Sequence, residues 1–187
     1  MQADRFTQKS LEAVNSLQKT AMDFGNQEIE QEHLLYVLLN QENSLILQMI
    51  EKMGIDANLF RNEVEAAINK RVKVQGGQPY VGQYLNYTLN YAENEAKKMG
   101  DEYVSVEHLF LAMLRHPSPS MKELFRQNGI TVDRFLQALQ SVRGNQKVTS
   151  DNPEETYDSL RKYGEDLVEK ARDQKLDPII GRDDEIR

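Results

Sequence analysis

The feature that most constrains the fold is an internal repeat with a spacing of 75 residues. The stretch "IEQEHLLYVLL" runs from Ile29 to Leu39, and "VSVEHLFLAML" runs from Val104 to Leu114. Without a gap, the same spacing joins further identical pairs: Gln8 with Gln83, Asn15 with Asn90, Ala21 with Ala96, Gly25 with Gly100, Gly54 with Gly129, Ile55 with Ile130 and Phe60 with Phe135. Glycines and apolar residues in phase indicate two copies of one structural unit.

Each unit has the apolar periodicity of four helices. In the first unit the helical stripes are Val14, Leu17, Ala21 and Phe24, then Leu34, Leu35, Leu38 and Leu39, then Ile46, Met49, Ile50 and Met53, then Leu59, Phe60, Val64 and Ile68. Gly25 and Gly54 follow the first and third stripes, where a glycine commonly ends a helix. Strand patterns are nearly absent. The sequence therefore predicts an all-α fold, a pseudo-twofold tandem repeat of two four-helix units.

The repeat also sets the domain organisation. Residues 1–143 form the repeated domain, with repeat 1 at about 6–71 and repeat 2 at about 81–143. Residues 144–156 contain almost no apolar side chains, which predicts a flexible linker. Residues 157–187 then hold one further helix and a Pro-Gly-punctuated tail.

Composition limits the partners of the chain. Its 30 acidic and 23 basic residues give a formal charge of −7, which disfavours nucleic acid as a partner because phosphate contacts need a basic surface. There is no cysteine, so disulfides and thiolate metal sites are excluded. The polar start is unlike a signal peptide, and no apolar run approaches the ~20 residues that span a bilayer. We expect a cytoplasmic protein without a membrane partner.

The two Glu-His pairs are candidate metal ligands, since imidazole and carboxylate suit zinc or nickel. Adjacent helical residues diverge by about 100°, however, so Glu32 and His33 cannot easily chelate one ion, and the same holds for Glu107 and His108. We expect each histidine to pack at the start of its helix and no metal site to form.

A tyrosine row distinguishes the two repeats. Tyr80, Tyr84, Tyr87 and Tyr91 follow the i, i+4, i+7, i+11 spacing of one helical face. The equivalent positions of the first repeat are all polar: Arg5, Lys9, Glu12 and Ser16. Two interpretations stay open. The tyrosines pack the repeats together, or they form an exposed aromatic surface for unfolded polypeptide, since tyrosine offers a large contact area at low entropy cost.

The "EHLL" and "EHLF" phrases at the start of the second helix of each unit, together with "LDPIIGRDDEIR" at the end of the chain, resemble the Clp family of AAA+ ATPases. The likeness is greatest to the ClpB branch, the disaggregases. It implies a Clp amino-terminal domain, with residues 157–187 containing the truncated start of the first AAA+ module. It further implies a longer parent chain that binds ATP and Mg²⁺, forms a homohexamer and works with the DnaK system on unfolded or aggregated proteins.

The resemblance also implies functional residues. It places Thr7, Asp101 and Glu107 on positions tied to substrate handling, and Leu89 and His108 on positions that line an apolar groove. The residues themselves favour a structural role for two of these: Thr7 is a good N-cap, and Asp101 follows a glycine where Asp often accepts from local amides. With Tyr84, Tyr87 and Tyr91, these form the predicted substrate-binding set.

No nucleotide site is expected within these residues. The resemblance makes Ile179, Ile180 and Gly181 the adenine side of a site whose phosphate-binding loop, G-x-x-x-x-G-K-[ST], does not occur in the sequence. We therefore expect neither a cofactor nor ATP hydrolysis, and a monomeric fragment.

Two other functions remain as alternatives. One is an adaptor- or degron-binding domain of a ClpC/ClpA-type unfoldase that feeds a protease. In that branch the equivalents of Glu32 and Glu107 dock phosphorylated arginines, but Gln31 and Val106 stand here in place of the usual threonine. The other is a helical metal-binding protein, which lacks a convergent third ligand.

Overall fold

The computed structural model describes residues 3–154, and the expectations for residues 155–187, including the further helix and Ile179, Ile180 and Gly181, lie outside it. The first repeat contains α1 (Gln8–Asn15), α2 (Leu17–Asp23), β1 (Glu28–Ile29), α3 (Gln31–Leu39), α4 (Leu45–Lys52) and α5 (Ala57–Asn69). The second contains β2 (Tyr80–Val81), α6 (Gln83–Lys98), α7 (Val106–Arg115), α8 (Pro119–Gln127) and α9 (Val132–Arg143). The predicted all-α class is confirmed.

The helix boundaries follow from capping residues. Thr7, Ser44, Asp56, Ser118 and Thr131 each precede a helix and accept a hydrogen bond from an amide in its first turn. The capping role expected for Thr7 is therefore present.

The first predicted helix is divided in two. Ser16 separates α1 from α2, and its hydroxyl donates to the carbonyl of Ala13 (2.9 Å). A serine hydroxyl that bonds a carbonyl of the preceding turn competes with the helical hydrogen-bond pattern, which the apolar spacing alone does not reveal.

The two repeats are joined by exchanged extended segments. β1 pairs in parallel with β2, and the N–H of Gly82 donates to the carbonyl of Ile29 (2.8 Å). The equivalent bond on the other side runs from the N–H of Thr7, the counterpart of Gly82, to the carbonyl of Val104, the counterpart of Ile29 (3.0 Å). An isolated parallel bridge joins Phe6 to Val104 beside it. The start of each repeat is therefore hydrogen-bonded to the other repeat, and neither repeat makes these backbone hydrogen bonds within itself.

The core is centred on α3 and α7, which pack against each other and against α1, α4 and α6. Its largest fully buried side chains are Phe60, Phe110, Phe135, Leu34, Leu35, Leu38, Leu39, Ile46, Met49, Ile50 and Ile68. The prediction that Leu59 lies in the core is wrong. Leu59 is 58% exposed, because Phe60 and Val64 occupy the inward face of α5. Gly25 and Gly100 follow α2 and α6 with φ of +74° and +73°, a conformation that favours glycine and ends both helices.

The segment after α9 is packed on the domain as far as the structure describes it, which corrects the expectation of a free linker from residue 144. Val148 is fully buried, and its carbonyl accepts from the N–H of Glu102 (2.8 Å). Further along, the carbonyl of Asp151 accepts from the N–H of Gln8 (2.7 Å). The low apolar content was misleading because backbone hydrogen bonds and one buried valine make the attachment.

Candidate functional site

Both Glu-His histidines are structural parts of a helix start. Nδ1 of His33 accepts from the N–H of Glu30 (2.9 Å), and its Nε2 lies 2.9 Å from Oδ1 of Asn26. Burial, and after it the charge of Arg71, lowers the pKa of His33 to about 4, so the ring is neutral near pH 7. Because both ring nitrogens already have protein partners, the side chain does not present a free ligand atom.

The second histidine repeats the arrangement with a charged partner. Nδ1 of His108 accepts from the N–H of Ser105 (2.8 Å), and its Nε2 lies 2.7 Å from Oδ2 of Asp101. Asp101 was expected to accept from local amides, but it instead accepts from Arg143 and from the N–H of Val148 (3.0 Å), both distant in sequence. Within residues 3–154, no group of three or more His, Asp and Glu side chains is arranged to hold a metal ion.

The two glutamates already hold arginines of the same chain. Oε2 of Glu32 accepts from Arg71 (3.1 Å) and from the hydroxyl of Ser120 (3.2 Å). Oε2 of Glu107 accepts from Arg143 (3.3 Å). An arginine supplied by a partner would have to displace these internal ion pairs.

Five of the predicted substrate-binding residues lie inside the domain. They are Thr7, Leu89, Asp101, Glu107 and His108, all buried. Leu89 belongs to the core rather than to an open groove. Asp101 bonds His108 and is joined to Glu107 through Arg143, while Thr7 caps α1. Direct contact with a substrate would require these residues to become exposed, and their role in binding stays a prediction.

The tyrosines, in contrast, are at the surface. Tyr87 and Tyr91 on α6 are 38% and 39% exposed, while Tyr84 is half-buried. Tyr80 is 53% exposed but lies in β2, before the helix begins at Gln83, so the helical face contains three of the four residues.

The rings of α6 form a continuous row. Tyr84 contacts Tyr87 edge to face at a centroid distance of 6.0 Å, and Tyr87 contacts Tyr91 at 6.4 Å. Tyr91 stacks on His116 at 4.0 Å. We call Tyr84, Tyr87, Tyr91 and His116 the aromatic row. His116 was not predicted, because nothing in the helical spacing of α6 indicates a residue that follows α7.

Two buried residues of the first repeat position this row, and sequence reasoning missed both. The carboxylate of Glu30 accepts from the N–H groups of Tyr84 (3.0 Å) and Leu85 (2.7 Å), and so caps α6, whose own N-cap is the glycine Gly82. A Cβ at Gly82 would lie 2.6 Å from that carboxylate, so the close approach requires glycine.

Gln31 holds the other side of the row. Its Nε2 donates to the carbonyl of His116 (2.9 Å) and to the hydroxyl of Thr88 (3.0 Å), and its Oε1 accepts from the N–H of Ser118 (2.9 Å). The side chain therefore ties the turn that carries His116 to α6. These contacts span 57 to 87 residues and have no local sequence signature.

A separate groove of about 850 Å³ is lined by Tyr80 but by none of the four residues of the aromatic row. Its apolar lining includes Ala66, Ala67, Val72, Val74 and Leu124. Acidic side chains at Glu28, Glu32, Glu63 and Glu123 outnumber the basic ones at Lys70 and Arg71. The lining therefore combines apolar and acidic side chains. Among the helices of residues 3–154, none combines the length and the hydropathy that a membrane span requires.

Comparisons with known proteins agree with this fold. Residues 5–128 match the family model described as the Clp repeat (R) N-terminal domain. The chaperone protein ClpB of Nitratidesulfovibrio vulgaris is 43% identical over 193 aligned positions, which cover 100% of this chain and 22% of the relative. ClpB of Bacillus cereus strain ATCC 10987 is 41% identical over 192 positions, with the same coverage. The chain thus spans about a fifth of the length of these curated relatives.

Solved structures show the same fold at lower identity. The Hsp104 N-terminal domain from Candida albicans superposes with a TM-score of 0.68 at 21% identity, covering 78% of this chain and 96% of that one. A complex of the ClpV N-domain with a VipB peptide gives 0.59 at 20% identity, covering 74% and 86%. The family match over most of the described residues and the shared helical fold lead to one conclusion: the chain belongs to the Clp repeat N-terminal domain family.

Proposed function

We propose that this chain is the substrate-binding N-terminal domain of a ClpB-type protein disaggregase. In this proposal it binds unfolded or aggregated polypeptide weakly and passes it to the ATP- and Mg²⁺-dependent pore of a hexameric parent, in cooperation with the DnaK system. The observation that carries the proposal is the aromatic row, which is exposed on α6 although the equivalent face of α1 is polar. The first repeat folds without aromatic residues at the equivalent positions Lys9, Glu12 and Ser16.

The row has the physical properties of a weak polypeptide-binding surface. Its rings offer apolar area with polar tips, and they are already ordered by neighbouring rings, which lowers the entropy cost of binding. Removing ~80 Å² per half-exposed ring from water contributes about 2 kcal/mol at ~25 cal/mol per Å². The ordering cost of an unfolded segment offsets much of this gain, and weak binding suits a domain that must release its client.

The relatives support this role. The similar full-length proteins are named as ClpB chaperones, and one structural neighbour is a Clp-type N-domain in complex with a peptide. The adaptor or degron alternative has less support, since Glu32 and Glu107 are already paired with Arg71 and Arg143.

The test is the affinity for a fluorescently labelled, unfolded apolar peptide, measured by anisotropy. We expect the double variant Tyr87→Ser/Tyr91→Ser to bind at least about tenfold more weakly, because about 1.4 kcal/mol corresponds to a factor of ten. The melting midpoint should stay that of wild type, since both rings are more than a third exposed. Ser16, the first-repeat equivalent of Tyr91, is already a serine.

Glu12→Ser is the matched control, because Glu12 is the exposed equivalent of Tyr87 on α1. It should bind like wild type. Unchanged affinity in the double tyrosine variant would contradict the proposal, and a markedly lower melting midpoint would assign the row to folding instead.

A further inference from the structure

Residues 146–154, which we call the strap, follow a defined path over the second repeat. The N–H of Val148 donates to Oδ1 of Asp101 (3.0 Å), and the Val148 side chain is fully buried. Lys147 donates to the carbonyl of Met99 (2.7 Å). The strap is therefore attached by backbone, apolar and charged contacts over its first half.

The far end of the strap is anchored by a buried carboxyl group. Oε2 of Glu154 accepts from the hydroxyl of Thr7 (2.8 Å) and from the N–H of Val106 (3.2 Å). Glu154 is 6% exposed. Its side chain thus lies between the first residues of α1 and α7, a position we call the notch.

The first repeat shows that the equivalent position takes a carboxyl side chain. There Glu30 accepts from the N–H of Gln31, the equivalent of Val106, and from the amides at the start of α6, the equivalent of α1. In the second repeat the equivalent of Glu30 is Ser105, which has no carboxylate. Glu154 supplies the missing group from a different part of the chain.

The path of the strap also has an equivalent. Lys73 of the connector between the repeats donates to the carbonyl of Phe24 (2.7 Å). Lys147 donates in the same way to the carbonyl of Met99, which is the equivalent of Phe24 in the second repeat. The connector continues into β2 and α6, to which it is covalently joined. The strap reaches the start of α1 without such a bond, so its attachment is reversible where that of the connector is not.

We propose that the notch is a docking site for an extended, acid-bearing peptide segment, that residues 146–154 are its occupant within the chain, and that this strap docks and releases as a unit. The proposal stands independently of the aromatic row. Release frees nine residues that reach roughly 30 Å when extended at ~3.3 Å per residue. The strap therefore sets how far the domain can move from whatever follows residue 154.

The charges around Glu154 make docking sensitive to pH. Glu107 on α7 faces it, with Arg143 of α9 bonded to Glu107 and Asp101, and His108 bonded to Asp101. Burial, and after it the charge of Glu107, raises the pKa of Glu154 from 4.5 to about 7. A carboxyl whose pKa is raised on docking docks most tightly below 4.5, and docking weakens as the pH rises through about 7.

Hydrogen exchange of the 187-residue chain, followed by NMR, tests the proposal. The reporters are the amides of Gln8, Glu102 and Val148, whose hydrogen bonds join the strap to the domain. After correction for intrinsic exchange, we expect their protection to fall about tenfold between about pH 6 and about pH 8, while core amides of α7 stay unchanged.

Glu154→Gln should abolish this pH dependence while the strap remains docked. Asp151→Asn, which changes an exposed carboxylate of the same strap, should keep it. The proposal is overturned if the reporter amides are unprotected at pH 6, if they exchange only with the core, or if their pH dependence survives Glu154→Gln.

Discussion

Phe110→Ala should lower the free energy of unfolding by about 3–5 kcal/mol, the usual cost of removing a buried phenylalanine. The ring is fully buried and lies at centroid distances of 5.8 Å from Phe125 and 4.7 Å from Phe135. It therefore joins α7 to α8 and α9, and the smaller side chain leaves a cavity that these helices cannot close without losing their own contacts.

Urea unfolding of the variant and of wild type measures this effect. Leu59→Ala is the control: the sequence pattern assigns Leu59 to the core, but the residue is 58% exposed. We expect it to change stability by no more than about 0.5 kcal/mol, as for most surface substitutions. Equal losses for both variants would contradict the described packing of α5 and α7.

Arg143→Met should lower the free energy of unfolding by about 3–5 kcal/mol, because it leaves two buried carboxylates without their shared cation. Arg143 is 3% exposed and pairs with Asp101 and Glu107, both of which are fully buried at the side chain. Methionine keeps most of the apolar stem, so the loss reports on charge more than on volume. The control is Arg126→Met, whose pair with Glu123 is exposed to solvent and therefore contributes little to stability.

The pH dependence separates charge from packing in this variant. Burial alone would raise the pKa of Asp101, but hydrogen bonds from His108 and Arg143 outweigh it and hold the pKa below 3.8. The stability that this carboxylate contributes is present above 3.8 and is lost as the pH falls through its folded pKa. The deficit of Arg143→Met should therefore shrink in acid. A deficit that does not change with pH would mean that Arg143 acts through packing.

Much of the fold could be predicted from sequence because each helical pattern occurs twice, once in each repeat. Glycines and apolar stripes in phase marked the helix ends and the core faces. The break at Ser16, the short strands and the exposure of Leu59 were missed, since each depends on local hydrogen bonds or on which neighbour an apolar residue meets. The strap was missed because a single buried valine and backbone hydrogen bonds leave no periodic pattern.

The candidate site could be predicted less completely. The contrast between tyrosines and polar equivalents pointed to α6, but spacing could not decide between burial and exposure. Glu30 and Gln31 position the row across more than 50 residues of chain, and His116 extends it by stacking on Tyr91, 25 residues earlier. These contacts appear only in the folded molecule. Thr7, Asp101, Glu107 and His108 were predicted as substrate-binding residues, yet all four are buried.

An NMR titration of the isotope-labelled chain with an unfolded, apolar client tests the central claim most directly, because it locates the binding surface without altering the protein. The account predicts that shift changes concentrate on residues 84–95 of α6 and on His116, with fast exchange that reflects weak binding. If the changes instead cluster elsewhere and the resonances of Tyr87, Tyr91 and His116 stay in place, the aromatic row is not the client-binding surface.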